Sequence, residues 1–264
     1  MDVTNRIRDG LAGDEQLLGV RAKTHDPILI EVYGQLGFDF AWLDFEHGGG
    51  PAHDSRHLES IARTCEVAGI EPLVRVPTGD PALIRKVLDA GIHSVLVPRV
   101  ETVETARAAV AASRFRYDGG PGGRGHAGGR ANAYGARMDG YADRADARTL
   151  VGIQIESHAA VERLEELLAV PGLGFVMIGH GDLAVSMGKP MEADDPAVRS
   201  AIDRVRSACR EAGVPAGRAV SSTEAGRDAL AAGYQLVRVG DEVDAVRRQL
   251  GERLETLRGE RTSG

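Results

Sequence analysis

PLVRVPTGDPALIRKVLDAGIHSVLVPRV, residues 72–100, decides the fold. The run PLVRVP, 72–77, is short, apolar and β-rich, as a buried strand requires. Asp80–Ala90 is longer and amphipathic, and Ala90-Gly91 closes it in the manner of a left-handed helix cap. SVLVPRV, 94–100, is a second strand. Strand, helix and strand in immediate succession make a parallel βαβ unit. Working outward, the same alternation gives strands at 17–23, 38–44, 150–156, 174–179, 215–220 and 235–240. Helical stretches fall between them at Thr102–Ala112, Ala159–Ala169 and Ala197–Ala212, with further Ala-Gly closures at Gly69, Gly213 and Gly233. Eight such units in 264 residues predict a single α/β domain over 1–264, a closed (β/α)₈ TIM barrel rather than an open sheet.

Composition narrows the class. Charged residues are 27% and hydrophobic ones 42%, the balance of a globular chain. The start has no basic region followed by an apolar run, so no signal peptide is expected, and no run is long enough to span a membrane. A cytoplasmic protein is expected. A net charge of −7 argues against a nucleic-acid partner. Cys65 and Cys209 read as two small buried hydrophobes. Lysine occurs only at Lys23, Lys86 and Lys189. Residues 113–148, rich in Gly and Arg, break the rhythm and read as a long loop. Their composition is that of an RNA-binding segment, but they are embedded in an acidic barrel. The tail from Arg258 to Gly264 reads as frayed.

In a barrel of this kind, reactive side chains come from the carboxyl ends of strands. Asp44, His47, Arg75, Gln154, Glu156 and Asp182 pass that filter. Gln154 and Glu156 share one face of their strand because side chains alternate. Glu156 and Asp182 close consecutive strands, so their carboxylates can converge. Two carboxylates without cysteine favour a hard cation, Mg²⁺ or Mn²⁺, that keeps positions for water and substrate. Each also reads as a cap of the helix that follows it. His53 and His57 have zinc-like spacing but no acid partner, and read as a solvated helix face.

LDFEHG at 43–48, PLVRVP, LDAGIHSVLVPRVET at 88–102, GRGHAGGRANAYG at 123–135, GIQIES at 152–157 and IGHGDLAVSMG at 178–188 together resemble the class II, metal-dependent pyruvate aldolases of the HpcH/HpaI type. That family includes the 4-hydroxy-2-oxoheptane-1,7-dioate and 2-dehydro-3-deoxygalactarate aldolases. The resemblance runs through nearly the whole chain in order. It implies a TIM barrel, a hexamer of dimers that exchange their last helix, and a divalent ion on Glu156 and Asp182, with Co²⁺ a further candidate. It implies that Arg75 contacts the keto oxygen of pyruvate beside Gln154, and that His47 with Asp44 moves the proton. An aspartate matching Asp89 is associated with the catalytic histidine. Yet Asp89 ends a helix, at the opposite rim from its own site, so it reads either as acting from a neighbouring subunit or as an ordinary helix-end acid. Where the family usually has Gly-Pro-x-Asp-Leu, this chain has Gly179-His180-Gly181-Asp182-Leu183. Backbone N–H groups of Gly179 and Gly181 are expected to receive the substrate carboxylate.

The expected function is therefore a carbon–carbon lyase acting on 4-hydroxy-2-oxo acids, with pyruvate and an aldehyde as small-molecule partners. Schiff-base chemistry has only Lys23 near a strand end. Gly240-Asp241-Glu242 puts two acids where barrels often bind phosphate, which argues for an unphosphorylated substrate. The rival readings are an acyl-CoA lyase, with the loop 113–148 as its nucleotide groove, and a catalytically silent scaffold.

Overall fold

The computed structural model describes residues 4–262. Ten strands form: β1 Leu17–Ala22, β2 Phe40–Asp44, β3 Glu71–Arg75, β4 Ser94–Val97, β5 Arg116–Tyr117, β6 Gly120–Pro121, β7 Leu150–Ile155, β8 Phe175–Ile178, β9 Ala216–Val220 and β10 Leu236–Asp241. Eight of them, all parallel, close a barrel in the order β1-β2-β3-β4-β7-β8-β9-β10, with β10 returning to β1. The expected (β/α)₈ architecture is the one observed. β5 and β6 form a separate antiparallel hairpin.

Capping chemistry sets the helix limits. α4, Pro81–Asp89, starts where the Asp80 carboxylate accepts from Ala82 N–H, and buries Leu83, Ile84, Val87 and Leu88. α3, Ser55–Ala68, and α10, Pro196–Ala212, are capped alike by Asp54 and Asp195 and end at Gly69 and Gly213, both left-handed. Gly91 and Gly233 also have positive φ, as the Ala-Gly pairs predict. One helix differs from expectation. The stretch 159–169 divides into His158–Glu162 and Leu164–Leu168, because Arg163 leaves helical geometry at φ −107° and ψ 20°.

The barrel is packed, not hollow. Leu17, Phe40, Trp42, Leu73, Leu96, Leu150, Phe175, Met177 and Leu236 form one buried cluster with Ile7 and Leu11 of α1, Arg6–Ala12, at its amino-terminal end. The large side chains fit because glycine stands opposite. A Cβ on Gly19 would lie 2.2 Å from the Phe40 ring, one on Gly152 2.3 Å from Phe175, and one on Gly217 2.3 Å from Met177.

Residues 113–148 are more ordered than a loop. They hold the hairpin, a 3₁₀ turn at Arg130–Asn132 and α6, Tyr141–Arg148. They lie on the amino-terminal side of the barrel, where Arg130 donates to Ala90 O and a Cβ on Gly129 would meet Asp89 O at 2.7 Å. The tail also differs: α12, Glu242–Thr262, continues through 258–262 as helix, and 263–264 lie outside the described residues. Val246, Leu250, Leu254 and Leu257 stand exposed along α12. Among the described residues no helix is long and apolar enough to cross a membrane. Both cysteines are free and buried, and burial pushes each thiol up to about 12.

Candidate active site

At the carboxyl end of β2, Asp44 is wholly buried and surrounded by donors. Arg75, on the neighbouring β3, grips it with two prongs, Nε at 2.9 Å and Nη2 at 2.7 Å. Arg21 of β1 donates to it as well, and so do the backbone N–H groups of Glu46 and His47 at 3.1 and 3.3 Å. Burial alone would raise this carboxyl, but Arg75, Arg21 and the His47 amide outweigh it and hold it well below the usual carboxylate range. Asp44 is thus a fixed anion that orients Arg75. The guanidinium of Arg75 sits over Trp42, 5.3 Å from the ring centroid, and reaches Gln154 Oε1 at 3.4 Å and Glu46 Oε2 at 3.0 Å. A fork held on so many sides presents its remaining donor edge without reorganisation.

Glu156 follows β7 and is buried. Its Oε1 accepts from Arg99 N–H at 2.7 Å, and its Oε2 from the Gln154 amide. Burial raises its carboxyl to about 7, the Arg99 N–H opposes that, and the charges of Glu46 and Asp182 add to it. Gly179 is required here by close approach: a Cβ would lie 2.6 Å from Gln154 Nε2 and 2.7 Å from Glu156 Oε2. Arg99 itself has φ 54°, a conformation costing about 1–3 kcal/mol for a residue with a side chain, held where its N–H meets the carboxylate.

Asp182 is exposed, in the first turn of α9, His180–Ser186. Crowded negative charge on a buried carboxylate is what a divalent cation relieves. Among the described residues no group of three or more His, Cys, Asp or Glu could hold a metal. The charge of Asp182 reaches Glu156, and two carboxylates completed by water and substrate are a donor set that a hard ion accepts. A cavity of about 230 Å³ opens beside them, lined by Arg75, Gln154, Gly179, Gly181, Asp182 and His47 among others. None of its described lining residues is lysine, and Lys23 is not among them.

The structure thus gathers His47, Arg75, Gln154, Glu156, Gly179, Gly181 and Asp182 at one rim, with Asp44 beneath. The imidazole of His47 is half exposed and lies 3.6 Å from Glu46 Oε2, while the Asp44 oxygens serve Arg75, Arg21 and backbone. Asp89 is at the far end of the barrel, 3.9 Å from Arg124. His57 pairs with His25 at 3.1 Å rather than with His53.

Sequence reasoning missed Arg21, Trp42, Glu46, Arg99, Arg218 and Arg238, whereas His180, marked in the sequence by its replacement of proline, does line this space. Alternation along β1 and β10 does carry a signal: Arg21 follows Leu17 and Gly19 on the inner face, and Arg238 follows Leu236. Arg99 had none. The acids that end β10 and open α12 also play other parts than expected. Glu242 accepts from the N–H groups of Lys23 and Thr24 and from the Tyr33 hydroxyl, and Asp241 caps Asp244 N–H at 3.0 Å. Arginines accompany them at this end of the barrel, so the acids alone do not exclude a phosphorylated substrate.

A parallel barrel with a buried carboxylate, a fixed guanidinium and an open cavity at its carboxyl rim has the form of a barrel enzyme. The chain belongs to the HpcH/HpaI aldolase/citrate lyase family, whose profile matches residues 18–248, and it is an aldolase. A hydroxypyruvate/pyruvate aldolase from Roseovarius nubinhibens is 37% identical over 80% of this chain and 82% of its own length. A 5-keto-4-deoxy-D-glucarate aldolase from Shigella dysenteriae is 32% identical over 92% of this chain and 93% of its own. The crystal structure of an HpcH/HpaI aldolase/citrate lyase family protein from Burkholderia cenocepacia superposes with a TM-score of 0.90 at 35% identity, covering 97% of this chain and all of that one.

Proposed function

We propose that this aldolase makes or breaks the carbon–carbon bond of 4-hydroxy-2-oxo acids through a pyruvate enolate, using a divalent ion, Mg²⁺ or Mn²⁺, held by Glu156 and Asp182. The carrying observation is Arg75, locked onto Asp44 by two hydrogen bonds beside the buried carboxylate of Glu156. Cleavage leaves negative charge on the keto oxygen of pyruvate. The bound cation would act there as a Lewis acid. Arg75 adds a charge that neutral pH cannot remove, and Gln154 lies beside it to fix the oxo acid. The N–H group of Gly181 is the one from this turn that receives the substrate carboxylate, because the Gly179 N–H, contrary to expectation, donates to Ile155 O at 3.0 Å. His47 takes the 4-hydroxyl proton, an imidazole being suited to that transfer near neutrality. Asp89, remote from its own rim, acts on a neighbouring subunit. The exposed apolar row on α12 supports a homo-oligomer, for which the family resemblance implies a hexamer. The acyl-CoA reading loses its nucleotide groove, because residues 113–148 cover the opposite end of the barrel.

Pyruvate, Mn²⁺ and a panel of hydroxyaldehydes test the reading. Aldol product should form, EDTA should abolish it, and borohydride with pyruvate should leave the enzyme untouched. Full activity of Asp182→Ala, or covalent trapping on Lys23, would refute it.

A further inference from the structure

His47 is followed by three glycines, Gly48-Gly49-Gly50, the sequence least suited to holding a reactive side chain still. Yet residues 45–50, a succession of bends, are tied down at both ends. At the first, Phe45 N–H donates to Arg75 O at 3.0 Å and His47 N–H to Asp44 Oδ1 at 3.3 Å. At the second, Gly49 N–H donates to Lys23 O at 2.7 Å. The glycines themselves lie on a pair of histidines. A Cβ on Gly49 would come within 2.0 Å of the His25 ring, and one on Gly50 within 2.7 Å of His57 Nε2. Gly49 also has φ 68°, so space and backbone both require glycine there.

The surface beneath the loop is well fixed. His25 follows β1 and is buried, and His57 lies in the first turn of α3. Nδ1 of His25 and Nε2 of His57 are 3.1 Å apart, one donating to the other, with the rings stacked at 5.4 Å between centroids. Phe45 closes the group, 4.4 Å from the His25 ring and 5.7 Å from the His57 ring. His25 takes φ 57°, a conformation that residues with a side chain rarely adopt. Its turn is held from the other side by Glu242, which accepts from the Lys23 and Thr24 N–H groups at 2.8 and 2.6 Å. Burial and the charge of His57 lower His25 to about 4, against the opposing charges of Asp44 and Glu242. Near neutrality the His25 ring is therefore uncharged, and no like-charge repulsion opens the pair.

We infer that His25 and His57 are positioning residues for the aldol step. Their joint surface fixes the three-glycine segment, and through it the backbone that aims His47 at the 4-hydroxyl. Neither borders the catalytic cavity. The inference rests on the reading of His47 as the base and adds what holds that base in place. Decarboxylation of oxaloacetate needs no acceptor for a hydroxyl proton, so it should not register the pair.

The test follows two reactions at saturating Mn²⁺: cleavage of the adduct of pyruvate and D-glyceraldehyde, and decarboxylation of oxaloacetate. In His57→Leu the kcat for cleavage should fall roughly tenfold to hundredfold with KM near the wild-type value, as for a displaced catalytic group. Decarboxylation should be unchanged. His57→Gln, whose amide reaches the place of Nε2, should restore most of the rate. Gly49→Ala, whose methyl cannot share space with the His25 ring, should show the same split between the two reactions. The inference is overturned if His57→Leu and Gly49→Ala cleave at the wild-type rate, if either loses both reactions equally, or if glutamine restores no more than leucine. His47→Ala is measured alongside. Undiminished cleavage in that variant would remove the base reading and this inference with it, whereas a loss there without one in His57→Leu removes the inference alone.

Discussion

Replacing Arg75 by lysine keeps the charge and removes the shape. In the native site the guanidinium spends Nε and Nη2 on the two oxygens of Asp44, at 2.9 and 2.7 Å, and points Nη1 toward Gln154 at 3.4 Å. A single ammonium cannot hold both oxygens and the amide, and it has no plane to lay over Trp42. At least one charge-assisted hydrogen bond is lost, about 1.5–3 kcal/mol at a buried anion. Arg21 still holds Asp44, so the loss stops short of an unpaired buried charge. For a chain of this size that lowers Tm by roughly 3–12 °C. The catalytic effect is larger: removing a donor aimed at developing oxyanion charge commonly costs about 10²–10³ in kcat. Oxaloacetate decarboxylation, followed beside thermal unfolding at saturating Mn²⁺, separates the two. An Arg75→Lys enzyme within threefold of wild-type kcat would refute the oxyanion role, and an unchanged Tm would refute the two-pronged clamp.

The other expectations follow from neighbouring geometry. His47→Ala should lose aldol cleavage by roughly 10²–10⁴ yet largely keep oxaloacetate decarboxylation, where carbon dioxide leaves without a base; equal loss of both would move the base elsewhere. In Gly179→Ala the new methyl meets Gln154 and Glu156 at 2.6 and 2.7 Å. That overpacking should cost about 1–3 kcal/mol and weaken Mn²⁺ binding, and calorimetric titration showing native affinity would contradict it. Glu71 is raised by burial from 4.5 to about 7. The folded state therefore binds its proton more tightly than the unfolded state, and its contribution turns unfavourable as pH rises from 4.5 through 7. Glu71→Gln should gain on wild type by on the order of 1–3 kcal/mol between pH 5 and pH 8 in urea unfolding, and a gap that does not change with pH would sink the idea.

The barrel was legible because its strands are short apolar runs and its helices end on glycine, both local signals. α6 was missed because YADRADAR has few apolar positions to mark a face; Tyr141 and Ala145 alone are buried. At the site, Arg75, Gln154 and Glu156 could be read from strand-end alternation. The same rule applied to β1 and β10 finds Arg21 and Arg238, so that omission lay in the filter rather than the chain. Arg99 is different. Its contribution is a backbone N–H aimed by a left-handed turn, and no side-chain pattern records a backbone direction. The surroundings of Asp44 were equally hidden, since its two guanidinium partners come from distant positions on β1 and β3.

Three glycines facing Phe40, Phe175 and Met177 make the floor beneath the site a set of traded volumes. Enlarging Gly152 alone collides with Phe175, and shrinking Phe175 alone leaves a void, while the two changes together nearly conserve space. Mutational effects at these inner positions are therefore conditional on the neighbouring strand. Drift beneath the site should proceed in matched pairs, and a library that varies one position at a time will record as forbidden residues that the barrel accepts in combination.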